Sequence, residues 1–155
     1  MSFNVTHNTN IVNFTIIIDT REQKPFLFRG VDTEIKKLDT GDYSVSGLED
    51  RICVERKTIN DFVGTVTRGW SRFERELERM SKMESTCIVV EGSLEDITCQ
   101  RYHAPRVSPP SIWGSALKIT VKYNVPVFFC GSRRAAERWA LGWLRMQNEK
   151  IQKNI

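Results

Sequence analysis

The stretch Gly41–Asp61, GDYSVSGLEDRICVERKTIND, constrains the fold more than any other segment. Asp42 to Ser46 and Arg51 to Arg56 alternate apolar and polar residues, which is the period of a half-buried strand. Gly47-Leu48-Glu49-Asp50 between them supplies turn-forming residues. A hairpin with that loop sets Ser46 against Arg51, Val45 against Ile52 and Asp42 against Glu55. Directly opposed Cβ atoms lie ~5 Å apart, and like charges there repel. Two carboxylates so placed require a cation between them. Lys57, two residues beyond Glu55, points to the same face, while Tyr43, Val45, Ile52 and Val54 point to the other. A divalent metal held by Asp42 and Glu55, with an ammonium beside it, is suited to activating water against a phosphodiester. Hard oxygen ligands, with no Cys or His cluster nearby, favour Mg²⁺ or Mn²⁺ over zinc. The D-x(12)-ExK spacing by itself also fits a solvated strand face on which Glu55 and Lys57 flank one another.

The rest of the chain supplies a frame for that hairpin. Phe14 to Ile18 reads as a buried strand ending at Asp19, with Glu22 just beyond it, where a mixed sheet presents its site-forming loops. Ile59, Phe62, Val63 and Val66 have helical spacing after Thr58, and Trp70, Phe73, Leu77 and Met80 mark a second helix. Cys87 to Val90 and Val125 to Cys130 read as buried strands. Ser108-Pro109 opens a helix between them. Ser132 opens the last helix, with Ala136, Trp139, Ala140, Trp143 and Leu144 as its apolar stripe. A hairpin followed by alternating helices and strands gives an α/β fold: a central mixed sheet of about five strands flanked by helices, with the hairpin at its centre. At 155 residues the chain suits one domain, 14–150, after a flexible extension, 1–13. Apolar residues at 40% and charged residues at 27% exclude a disordered or fibrous chain. A net charge of +4 permits a polyanionic partner without demanding one. No apolar run is long enough to span a membrane, and the first residues lack the pattern of a secretory signal. The four cysteines are scattered. Cys53, Cys87 and Cys130 sit in or beside apolar runs and read as buried thiols of a reducing, cytoplasmic setting.

IIIDTRE, then GD, then VERK followed by Asp61, resembles the nuclease domain of the XPF family of structure-specific DNA endonucleases. That family shows GD, a variable spacer, ERK, three residues and Asp. It is a branch of the restriction-endonuclease-like PD-(D/E)xK fold. The resemblance runs from about Phe14 to the last helix. It implies that Asp42 and Glu55 are metal-binding carboxylates and that Arg56 and Lys57 complete the ERK signature. Lys57 would orient the attacking water or hold the scissile phosphate. Asp19 and Glu22 match the acidic pair upstream, as further metal-facing groups, and Asp61 matches the last acid. All seven positions are filled, which speaks against the alternative of a catalytically silent DNA-binding or scaffold module on the same fold. The implied substrate is branched, forked or flapped duplex DNA. No helix-hairpin-helix tail or helicase domain accompanies the nuclease domain, so a minimal stand-alone form of microbial or phage type is expected.

Some residues carry a second reading. Thr58 and Asp61 have the spacing of a capping box, which can coexist with a site role for Asp61. Arg56 points away from Glu55 and Lys57 and could instead form a supporting salt bridge. Arg21 reads as a brace for the carboxylates. Arg68, Arg72, Arg75 and Arg79 fall near one helix face. Arg75 and Arg79 are read as part of a solvated face with Glu74, Glu76 and Glu78, whereas the resemblance places Arg68 and Arg72, near the helix start, closer to the DNA and implies phosphate contacts for them. Arg101 and Arg106, in an irregular loop from Gln100 to Arg106, could track a DNA backbone. The two-tryptophan stripe of the last helix, with the family's habit of pairing, suggests a homodimer through the C-terminal helices.

Overall fold

The computed structural model describes residues 14–154; the expected extension 1–13 lies outside them. The elements run β1 (Thr15–Ile18), β2 (Asp32–Ile35), β3 (Tyr43–Val45), β4 (Ile52–Thr58), α1 (Ile59–Val66), α2 (Trp70–Met80), β5 (Ser85–Glu91), α3 (Leu94–Thr98), α4 (Pro109–Lys122), β6 (Val127–Phe129) and α5 (Arg133–Lys153). The strands form one mixed sheet in the order β2-β1-β3-β4-β5-β6. β3 pairs antiparallel with β1 and β4, whereas β4, β5 and β6 run parallel. Tyr43 stands opposite Val54, the register the sequence pattern demands; one step further it sets Asp42 against Glu55.

Alternation along β4 splits the core in two. Cys53 faces a layer of α1, α2 and α4, packed among Phe62, Phe73, Leu77, Ile112 and Ile119. Ile52 and Val54 face the other way, onto Tyr43, Val45 and the α5 residues Ala136, Ala140 and Leu144. β5 has helices on both sides, so Ile88, Val89 and Val90 are all fully buried, as expected of an inner parallel strand. This is the α/β architecture expected from the sequence, with the hairpin strands in the middle of the sheet.

Two elements exceed that expectation. β2 makes the sheet six-stranded, and all four of its residues are exposed. An edge strand with no buried face carries no apolar alternation to read. α3 is only five residues, but Ser93 and Asp96 form a full capping box at its start. Cys53 and Cys87 are buried thiols as expected, whereas Cys130 is only half-buried.

Two local features fix the hairpin relative to what surrounds it. Gly41 has φ +81°, and a Cβ there would lie 2.7 Å from the Cβ of Cys53. Only glycine allows both the left-handed turn and the close approach to β4. At the other end, Thr58 is both the last residue of β4 and the N-cap of α1. Its hydroxyl accepts from the Asp61 amide at 3.1 Å, and the Asp61 carboxylate accepts from the Thr58 amide at 3.3 Å. No loop separates strand from helix. Gly41→Ala should therefore destabilise the fold by about 2 kcal/mol through positive-φ strain and overpacking. Urea unfolding would show it as a lower midpoint with an unchanged m-value.

Candidate active site

The C-terminal part of β4 lines a broad open cleft of about 890 Å³, with α1 and α2 forming its wall. Asp42, Glu55 and Lys57 line it, and so do Asp61, Arg68 and Arg72 further out. The hairpin thus brings the three residues Asp42, Glu55 and Lys57 together on one face, as the strand period requires. Asp42 and Glu55 are both half-buried at its floor, with their carboxyls pushed above the ordinary range. Burial is the main cause at each. At Asp42 the neighbouring charge of Glu55 adds to it, while the Arg56 amide, donating to Oδ2 at 2.7 Å, opposes it. At Glu55 the Lys57 ammonium opposes burial, from 3.4 Å. Lys57 is itself packed over the Phe73 ring, 4.8 Å from its centroid, which restricts where the ammonium can go.

Asp19 lines the same cleft, and the Glu22 charge bears on both Asp42 and Glu55, but each of the two is already engaged by other partners. Asp19 is only 2% exposed, but its oxygens accept from the Arg21 backbone amide, the Arg21 guanidinium and the Leu38 amide, the last at 2.6 Å. Those donors outweigh burial and hold its carboxyl below the usual range. Asp19 is committed to the Arg21 brace and to the segment at Leu38. Glu22 pairs with Arg56 at 3.2 Å. Arg56 also bonds Glu91 at 2.7 Å, and Arg133 reaches Glu91 from α5 at 3.0 Å. The supporting salt bridge considered for Arg56 is what the structure contains, on the sheet face opposite Glu55 and Lys57. Among the described residues, no three His, Cys, Asp or Glu side chains form a ready-made metal cluster.

Asp61 makes the capping box and stands exposed at the cleft wall. Arg68 and Arg72 line the cleft, and among the described residues neither forms an ion pair. Arg101 does not join them. It is engaged with Asp96 at 3.2 Å and Glu95 at 3.9 Å, beside α3. Arg106 lies in an adjoining groove. Glu76, expected on a solvated face, reaches the cleft. Its Oε1 accepts from the Gly41 amide at 3.2 Å, its other oxygen pairs with Arg79, and its charge raises Glu55 further. The available signal was its position three residues after Phe73, at the border of the buried stripe of α2. Arg79 also lines the cleft, against the solvated-face expectation.

The donor set is carboxylate oxygen, and among the described residues no Cys or His lines the cleft. Asp42 and Glu55, two half-buried acids facing one another, fit a hard divalent cation better than a soft one. The surrounding arginines and Lys57 suit an anionic ligand.

Residues 18–141 match the ERCC4 domain family. A Methanocaldococcus jannaschii protein, "Putative ATP-dependent RNA helicase MJ1505", is 31% identical over 116 residues, 74% of this chain. The matched part is only 13% of that protein's length. Among solved structures, XPF from Aeropyrum pernix superposes with a TM-score of 0.70 at 22% identity, covering 90% of this chain and 67% of its own. The same protein in complex with DNA gives 0.69 at 22% identity, covering 88% and 66%. The fold is that of the XPF nuclease domain.

Because the native Asp42 and Glu55 bind protons more readily than the unfolded chain does, metal-free protein should lose stability as pH rises from the ordinary carboxylate range through their raised values. Asp42→Asn keeps an acceptor for the Arg56 amide and removes the charge. It should stabilise metal-free protein at neutral pH, where the wild-type carboxylate is held charged against burial and the Glu55 charge. Denaturant midpoints across pH, in chelator, would show a flatter profile for the variant than for wild type.

Proposed function

The chain belongs to the ERCC4-domain family, and from that premise we propose that it is a metal-dependent endonuclease cutting phosphodiester bonds in branched or flapped DNA. The observation that carries this reading is the Asp42–Glu55 pair beside Lys57 in an arginine-walled cleft. The Aeropyrum pernix relative solved with DNA supports a nucleic-acid ligand.

Asp42 and Glu55 would hold Mg²⁺ or Mn²⁺. Such an ion supplies an activated water and a Lewis acid for the phosphate. The Arg56 amide fixes the carboxylate of Asp42, and Glu76 fixes Gly41 next to it, so the metal-facing acid is positioned from both sides. Lys57, confined by Phe73 and Glu55, places positive charge where the pentacovalent phosphate gains negative charge. In this reading Asp19, Glu22 and Arg56 act as positioning residues, clamping β1 and β4 around the pair. Asp61 keeps the start of α1 in place and borders the substrate path. Arg68 and Arg72 contact phosphates.

The test is a panel of labelled substrates: linear duplex, single strand, both flaps, a fork and a four-way junction, each with Mg²⁺ and with Mn²⁺. Wild type should cut at least one branched substrate and none in chelator. Asp42→Asn and Lys57→Ala should each lower the rate by ~10²-fold or more. Asp42→Asn should still bind DNA, with affinity that falls as salt rises. A variant that cuts at the wild-type rate removes that residue from the site. Binding without cutting by the wild type would instead mark a scaffold module.

We also propose that the chain pairs with itself through its C-terminal helices. Trp143 is partly buried against the core, so of the two tryptophans Trp139, 49% exposed and tilted on Phe128, is the one left for a partner. A rival apolar face lies on α4, where Trp113, Leu117 and Val121 are exposed beside Leu94. Light scattering at tens of micromolar should report a dimer that Trp139→Glu disrupts and Leu117→Glu does not.

A further inference from the structure

Resting on the reading of the cleft as a DNA site, we infer that a strand's sugar–phosphate backbone leaves the cleft across Gly64 and continues into a second groove beside Arg106. That groove, about 690 Å³, is lined by α1 and by the loop around His103 to Val107. It shares Asn60, Gly64 and Arg68 with the first, so the two form one path over the face of α1.

Gly64 sits inside a helix, where glycine is unfavourable relative to alanine. Packing does not account for it, since a Cβ there would meet nothing within 4 Å. Gly69 and Gly92 contrast with it: a Cβ would press on the Thr65 backbone at 3.2 Å or on Ile59 at 2.7 Å. The missing side chain at Gly64 keeps the passage between the grooves flat. A backbone can approach such a surface closely, and a larger residue would stand in its way.

The cations along the path are available. Among the described residues Arg68 and Arg106 form no ion pair, whereas Arg101, off the path, has two acidic partners. The loop is also fixed in place. Asn60 accepts from the His103 amide at 2.8 Å, and Tyr102 donates to the Val107 carbonyl at 2.6 Å. Arg106 is therefore presented by a braced segment attached to the start of α1.

The test compares Gly64→Gln, Arg106→Ala and their double variant with wild type. Gly142→Gln serves as a control, because that helix glycine is equally open and lies on α5, away from the path. The probe is a fluorescein-labelled forked duplex in chelator, read by anisotropy across a salt series, with melting temperatures alongside. Gly64→Gln and Gly142→Gln should melt no lower than wild type. Gly64→Gln and Arg106→Ala should each weaken binding by roughly threefold or more, the scale of one lost phosphate contact. Arg106→Ala should also flatten the salt slope by about one. Gly142→Gln should bind as wild type. Once Gly64→Gln blocks the passage, adding Arg106→Ala should cost little more. Wild-type affinity in Gly64→Gln or in Arg106→Ala overturns the inference, as do fully additive losses. If Gly64→Gln melts low, Arg106→Ala alone decides: wild-type affinity with an unchanged salt slope overturns the inference. A wild type that binds no DNA at low salt overturns the reading of the cleft itself.

Discussion

Holding two carboxylates opposite one another in a half-closed place is the demand around which this structure is arranged. Asp42 and Glu55 are brought together by β3–β4 pairing, and their repulsion and desolvation work against that pairing. The sheet holds because the other faces of these strands are buried. Tyr43 and Val54 are fully enclosed on the α5 side, and Cys53 is fully enclosed on the α1 side. Gly41 lets the two strands approach where the acids meet. The hydrophobic layers thus stabilise an electrostatically unfavourable arrangement that a cation would relieve.

Around this pair, charges are sorted by sheet face. The Glu22–Arg56–Glu91–Arg133 chain lies behind β4 and ties the segment after β1 to β4, β5 and α5. Arg56 and its two acids are each about a tenth exposed, so removing one member would leave charge buried without a partner. The cleft side keeps Lys57 close to the acids, and among the described residues it leaves Arg68 and Arg72 without acidic partners. Residues next to one another in the ERK triplet therefore do different work. Strand alternation sends Arg56 to the bracing side and Glu55 and Lys57 to the cleft.

Period-two alternation made that division legible before any coordinates. It gave the register, the shared face of Asp42, Glu55 and Lys57, and the opposite placement of Arg56. Helix starts at Thr58, Ser108 and Ser132 were legible from capping chemistry. Long-range contacts were not. Nothing local says that Asp19 also takes the Leu38 amide, or that Glu76 reaches back to Gly41. β2 was invisible for another reason: its pairing with β1 uses backbone hydrogen bonds and buries no side chain.

The seamless passage from β4 to α1 at Thr58 limits how this fold can vary. One residue inserted there would turn α1 by about 100° relative to the strand. Asp61, Gly64 and Arg68 would then swing off the cleft wall while Lys57 stayed behind. Strand and helix behave as a single gear, in which length is fixed even where side chains are free to change. Changes of length that retune the substrate path are better accommodated in the segment between α3 and α4, which borders the same path without carrying the acids.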